Sequence, residues 1–361
     1  MEGQGFSVSR AIMDSSAGTG RGIFIPRWFY GLTALLLVIL GISAWQDFSV
    51  PGNYSKSFFA LDTVFEITIL DTSEDQGTRI LEKMKILTAD FENTWSSRNQ
   101  KSRLWVLNQK GGAGFVVPDP DMVPLLERSM MLSRLSGGLF NPCLLPLTSL
   151  WDIVNRTVPP SKKEISEAMG HCVAGNYFFE STKPGEFNVS IPSGGGFDLG
   201  GVAKGLAIDG CAEIIAREGK RGLVNAGGDI AAVGRRDNGP WRIGVRDPRG
   251  NGILAVIQTD GGSIVTSGDY ERFFIYEGKR YHHILDPATG YPASGIISVT
   301  VTASDTVTAD AAATAGMVAG PERVIQVCRS MGALGVMAIT ADGRHIVSEP
   351  EGGSSWITWI Q

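Results

Sequence analysis

Val64 to Leu70 is rich in β-branched and aromatic residues, which predicts a strand. Ile80, Met84, Leu87 and Phe91 then recur at helical spacing, as do Val123, Leu126, Met130 and Leu135. Leu206 to Arg217 reads as a helix leading into a strand at Leu223. Short strands follow at Ala231 to Gly234, Trp241 to Val245, Leu254 to Gln258, Phe273 to Tyr276 and Ile297 to Thr302. Helices are predicted at Ala309 to Val318 and at Pro321 to Met331, the second opening on a proline in a permitted first-turn position. Val336 to Thr340 closes the pattern as a strand. Helices and strands are mixed without strict alternation or repeat, which predicts an α+β fold with a mixed β-sheet core and packed helices.

The N-terminal segment follows a different pattern. Trp28 to Ala44 is apolar and uncharged, with Arg21 and Arg27 before it and Asp47 after it. At about 17 residues it reaches the lower end of the roughly 17–25 that a membrane span requires. Positive charge on the entering side predicts a cytoplasmic N-terminus and an exported remainder. A cleavable signal ending at Ala44 is the competing reading. The expected organisation is a cytoplasmic tail over 1–27, a transmembrane anchor or signal peptide over 28–45, a linker over 46–57 and a folded domain over 58–361. It places the protein at the inner membrane, with the domain facing the periplasm or the outside. No cysteine closely follows the apolar run, so a lipid attachment has no support.

A net charge of −5 and no basic block argue against a nucleic-acid partner. The four cysteines are far apart, without the paired spacing of a zinc site or a disulfide framework. Cys211 and Cys328 lie in apolar helical patterns, and buried free thiols are expected.

The densest chemistry lies in Gly194-Gly195-Gly196-Phe197-Asp198-Leu199-Gly200-Gly201-Val202-Ala203-Lys204-Gly205. Bare backbone at a helix start allows N–H groups to approach a phosphate, although a glycine turn beside a surface lysine has the same look. It is no P-loop, because Gly205 and not Ser or Thr follows Lys204. A dinucleotide fingerprint is excluded as well, since the preceding segment ends at Pro192.

Three more patterns follow in order. Leu223-Val224-Asn225-Ala226-Gly227-Gly228-Asp229-Ile230 reads as strand, glycine turn and strand. Tyr281-His282-His283-Ile284-Leu285-Asp286-Pro287-Ala288-Thr289-Gly290-Tyr291-Pro292 sets two histidines beside an aspartate–proline turn. Thr308-Ala309-Asp310-Ala311-Ala312-Ala313-Thr314-Ala315 opens a helix of small residues. On that helix Asp310 and Thr314 share a face, and their oxygens are hard donors suited to Mg²⁺. From the residues alone, either side chain could instead be an N-cap. In combination these motifs resemble the FAD:protein FMN transferase (ApbE-type) family, formerly called thiamine biosynthesis lipoproteins, from about Leu61 to about Glu349.

The resemblance implies a divalent cation held by Asp310, Thr314 and the main-chain carbonyl of Gly201. It implies FAD contacts at Asp198 and Lys204, where lysine follows phosphate oxygens as a mobile charge and Asp198 addresses donors or caps a helix starting at Gly200. His283 and Ile284 match positions beside the flavin diphosphate. Histidine suits a general base near neutrality, and strand alternation leaves His282 on the other face. Trp95 matches an aromatic near a flavin ring, and Leu139, Phe140 and Asn141 match a contact loop. Asn141 stands where the family commonly has Asp, and Leu61 where many members have Met.

The implied activity is Mg²⁺-dependent transfer of the FMN moiety of FAD to a Thr or Ser hydroxyl of an acceptor flavoprotein, with release of AMP. Water as acceptor would make the protein an FAD pyrophosphatase. A non-catalytic exported flavin carrier is the alternative from outside enzymology.

Overall fold

The computed structural model describes residues 52–183, 186–350 and 356–360. The expected tail and anchor over 1–45 therefore lie outside the described residues. Two strands open the described chain, β1 (Tyr54–Ala60) and β2 (Thr63–Ile69). They form a hairpin whose two-residue turn puts Leu61 at φ 51° and Asp62 at φ 58°. β1 takes in Tyr54 to Ser57, which the sequence pattern assigned to the linker. It is an edge strand with polar outer positions, so its composition resembles a tether although Tyr54 is buried.

Helices α1 (Glu74–Trp95), α2 (Arg103–Asn108), α3 (Val123–Leu135), α4 (Leu145–Trp151) and α5 (Lys162–Gly170) follow, with the short strand β3 (Phe115–Val116) between α2 and α3. β4 (Phe178–Lys183) and β5 (Glu186–Ser190) join β3 in a small sheet. The glycine loop then leads into α6 (Ala203–Arg217) and the hairpin β6 (Gly222–Ala226) and β7 (Asp229–Val233).

β8 (Trp241–Arg246) and β9 (Ile253–Thr259) precede β10 (Gly262–Gly268), and β11 (Phe273–Tyr276) pairs with β12 (Lys279–His282). β13 (Ile296–Ala303), α7 (Thr306–Ala319), α8 (Val324–Ser330), β14 (Gly335–Thr340), β15 (His345–Ser348) and β16 (Ile357–Trp359) complete the order. Pro321 precedes α8, because Arg323 and Val324 both bond back to the Gly320 carbonyl in a separate turn. β10 was not legible in the sequence, since glycines at both ends mask a strand that lies between β7 and β13.

The main sheet runs β1-β2-β6-β7-β10-β13-β14-β15, antiparallel at every pairing. Helices α1, α6 and α7 cover one face, where Phe65, Ile67, Val224, Val265, Val299 and Val301 point. The sheet β16-β9-β8 covers the other, on Ile230, Ala232, Ile264 and Met337. With both faces covered, β13 is buried at every position. This sandwich confirms the α+β expectation, and all four cysteines are buried free thiols. Among the described residues no helix is long and apolar enough to cross a membrane.

Candidate functional site

α7 carries the central pair. Its first amides are already satisfied: Asp305 accepts from Thr308 N, and the Asp209 carboxylate accepts from Thr306 N and Val307 N. Asp310 lies in the second turn and so cannot be a cap, which removes that alternative. α7 is buried all round except at Thr314 and Val318. Asp310 is 6% exposed, and its Oδ2 is buried without a hydrogen-bond partner among the described residues. Burial raises its carboxyl above the ordinary carboxylate range, and the charge of Asp229 adds to the shift.

The glycine loop is brought against this pair. A Cβ on Gly201 would stand 3.4 Å from Thr314 Oγ1 and 3.3 Å from the Phe140 ring. Gly205 permits a closer approach still, since a Cβ there would meet the Thr306 backbone at 2.9 Å. That contact ties the start of α6 to the start of α7 and fixes Lys204 relative to Asp310.

The N–H groups of the first half of the loop, Gly195 to Asp198, are not open to a phosphate. Gly195 N donates to Pro192 O, Gly196 N to the Tyr177 hydroxyl, Phe197 N to Asn108 Oδ1 and Asp198 N to Pro142 O. The glycines serve close packing instead: a Cβ at Gly195 would lie 2.6 Å from the Tyr177 hydroxyl, and one at Gly196 2.5 Å from Leu145. Asp198 is likewise engaged, accepting from Gly200 N at 3.0 Å and from Thr148 Oγ1 at 2.7 Å. The helix begins at Ala203, so Asp198 closes a turn within the loop and caps no helix.

Lys204 is not a mobile charge here. Its ammonium pairs with Asp229, a buried carboxylate, while the lysine side chain stays 33% exposed. Burial opposes the charge, but the Asp229 and Asp310 carboxylates outweigh it and raise the lysine's pKa. Asp229 is a buried charge beside the pair that the sequence motifs do not single out. Its signal lies in the Gly227-Gly228-Asp229 turn, which in sequence reads as strand, glycine turn and strand.

His282 and His283 engage different carbonyls. His282 ends β12, is 4% exposed and donates from Nε2 to the Ala293 carbonyl at 2.9 Å. His283 lies past the strand. Its N–H donates to the Arg272 carbonyl at 3.1 Å, and its Nδ1 lies 3.3 Å from the same oxygen. A carbonyl only accepts, so we assign the proton to Nδ1, which leaves the Nε2 lone pair free. Burial lowers the His283 pKa well below the usual range, and the Arg272 charge adds to the shift, so the ring is held in its neutral form.

The other expected contacts are dispersed. Phe140 is buried beside Gly201, with Leu139 packed against the same core. Asn141 donates to Cys172 O and accepts from Cys143 N, both at 2.9 Å. An aspartate could not make the first bond, which accounts for the amide in this chain. Ile284 is buried, its carbonyl bonded to Ala293 N. Trp95 is 8% exposed within the main core, without an open ring face. Leu61 occupies the β1–β2 turn and packs on the α1 side of the sheet.

Asp310 Oδ2, the Thr314 hydroxyl and the neighbouring loop form a partial set of hard oxygen donors. Among the described residues no cluster of three or more His, Cys, Asp or Glu is placed to hold a metal. A cation here would rest on one carboxylate, with water and substrate oxygens completing its shell, which is how Mg²⁺ is commonly bound.

The ApbE family model matches residues 61–338. The FAD:protein FMN transferase of Treponema pallidum is 30% identical over 338 residues, covering 88% of this chain and 92% of its own length. The enzyme of the same name from Rhodobacter capsulatus is 32% identical over 83% of this chain and 57% of its own length. Among solved structures, the ApbE protein of Thermotoga maritima superposes with a TM-score of 0.75 at 34% identity, over 83% of this chain and 97% of its own. The flavin transferase ApbE of Vibrio cholerae gives a TM-score of 0.72 at 25% identity, over 82% and 97%. The motifs, the fold and these matches agree: the chain belongs to the ApbE family of flavin transferases.

Proposed function

We propose that the protein transfers the FMN moiety of FAD to a Thr or Ser hydroxyl of an acceptor flavoprotein, releasing AMP. The observation that carries this reading is the buried, unpartnered Oδ2 of Asp310, one turn from the Thr314 hydroxyl and beside Gly201. These residues would hold Mg²⁺, Gly201 through its carbonyl. When bound, the cation neutralises charge on the diphosphate.

The chain's own groups do the remaining work. His283 Nε2 takes the proton from the acceptor hydroxyl as its oxygen bonds to the FMN phosphorus. The bridging P–O bond breaks, its electron pair leaves with AMP, and FMN remains as a phosphoester. The Arg272 carbonyl holds the imidazole in the tautomer this requires. Lys204 supplies positive charge toward the phosphate oxygens.

The test is to incubate full-length protein with FAD, Mg²⁺ and an acceptor flavoprotein produced without its flavin, then to measure intact mass and nucleotides. An FMN increment on the acceptor with equimolar AMP is expected. AMP without the adduct would make the protein a pyrophosphatase, and unchanged FAD would make it a carrier.

Residues 28–45 are further proposed to anchor the protein in the inner membrane, with the catalytic body on the periplasmic or outer side. Support comes from the uncharged run behind Arg21 and Arg27. Protease added to spheroplasts should digest the body, and protection until lysis would overturn the assignment.

A further inference from the structure

Lys204 and Asp310 carry opposite charges in one crowded site. Asp310 is, after Asp229, the carboxylate that acts most strongly on the lysine ammonium. Yet Asp310 Oδ2 has no partner, because the ammonium is engaged by Asp229. We propose that Asp229 is a positioning residue that holds Lys204 off Asp310, keeping the Asp310 carboxylate open for a divalent cation. This rests on the metal reading above and deepens it.

The placement of Asp229 is strongly built. It is the first residue of β7 and is 3% exposed. The preceding turn has Gly227 at φ 64° and Gly228 at φ 100°, conformations that side-chain-bearing residues rarely adopt. Asn225 fastens the turn from one side, accepting from Gly228 N at 2.9 Å and donating to Glu66 Oε2 at 2.6 Å. Gly227 N donates to the Val64 carbonyl at 3.2 Å. The carboxylate is thus placed by the turn between two central strands, while the ammonium it binds ends a long side chain from α6. On the lysine side, the close approach of Gly205 to Thr306 keeps α6 against α7. The Lys204 backbone therefore stays beside α7 when its partner is removed. Asp310 is then the carboxylate that acts most strongly on the ammonium, with Glu271 a further acidic neighbour.

A move of the ammonium to Asp310 has a definite consequence. An ammonium on Asp310 would occupy the oxygen a cation needs and oppose it by like charge. Removing Asp229 should therefore weaken cation binding through Lys204, and removing Lys204 as well should undo the defect. A purely structural role for Asp229, or its direct ligation of the metal, would give no such rescue.

Mn²⁺ is the probe, with the free ion read by electron paramagnetic resonance in the absence of FAD, so that binding is measured apart from turnover. Full-length wild type, Asp229→Asn, Lys204→Met and the double variant are compared, each checked for an unchanged thermal transition. Asp229→Asn should bind Mn²⁺ about 10-fold or more weakly, the range in which supporting residues act on metal sites. The double variant should return to within about twofold of Lys204→Met, since the non-additivity measures the coupling. Wild-type affinity in Asp229→Asn, or a double variant as weak as Asp229→Asn, would overturn the proposal while leaving the metal reading intact. A folded wild type that bound no Mn²⁺ would overturn both.

Discussion

The Thr314 hydroxyl stands 3.4 Å from where a side-chain carbon on Gly201 would begin. A methyl on Gly201 would therefore touch Thr314 at ordinary van der Waals distance and crowd the Phe140 ring, at 3.3 Å. The Gly201 backbone lies outside the positive-φ set, so alanine is conformationally allowed there and acts only through the space it fills. Gly201→Ala should fold with a stability loss of about 1 kcal/mol, at the low end for overpacking. Flavin transfer should fall about 10-fold, because the Phe140 ring or the loop must shift to admit the methyl beside a metal site that depends on its supporting groups. Thermal melting and initial rates read the two effects, and a normal rate would remove Gly201 from the site.

Asp310→Asn keeps the size of the side chain and removes its charge. It should abolish Mg²⁺-dependent transfer while leaving the metal-free protein at least as stable as wild type, because a desolvated carboxylate with an unpartnered oxygen costs folding energy. Chemical denaturation in the presence of chelator tests stability. A marked loss there would mean that the carboxylate has an architectural role instead.

His283→Ala should lower the transfer rate by about 10²–10⁴, the usual range for removal of a general base. FAD affinity should change little, since among the described residues the side chain bonds only to the Arg272 carbonyl. Single-turnover rates at saturating FAD separate the effects. A variant with weakened FAD binding and a normal saturated rate would reassign the histidine to flavin positioning.

His282 should instead show itself in the pH dependence of stability. Burial lowers its pKa, and its Nδ1 is enclosed without a partner, so the folded protein resists adding the second proton. The unfolded chain takes that proton near the ordinary value of about 6.5. Below this the unfolded state binds more protons than the folded one, so stability is full above about pH 6.5 and falls as the pH drops toward the folded-state pKa. Denaturant midpoints of wild type and His282→Gln between pH 7.5 and 5, about the window in which histidine changes charge, should show the steeper decline for wild type. Parallel curves would count against the assignment.

Much of the site was legible because its elements are local. The four-residue interval between Asp310 and Thr314 places both on one helix face whatever surrounds them. The adjacent histidines are separated as well, His282 bonding to the Ala293 carbonyl from the end of β12 and His283 to the Arg272 carbonyl just past it. The main helices and most of the strands follow from apolar spacing, since that spacing reflects burial on one or two faces. Where composition did not carry burial, the pattern misled: β1 looked like a linker because it forms a sheet edge, and β10 was hidden by its terminal glycines.

What the tertiary structure alone decided is which groups are already engaged. No spacing reveals that the loop amides bond to Asn108, Pro142 and Tyr177, or that Thr148 and Gly200 engage Asp198. Nor does it reveal that Lys204 finds Asp229 across the β6–β7 turn and leaves Asp310 open. Periodicity along a chain is set by backbone geometry over a few residues. The choice of partner for a charge or an N–H is set by how distant strands and helices meet, and in this protein that choice determines which oxygens and amides remain available for chemistry.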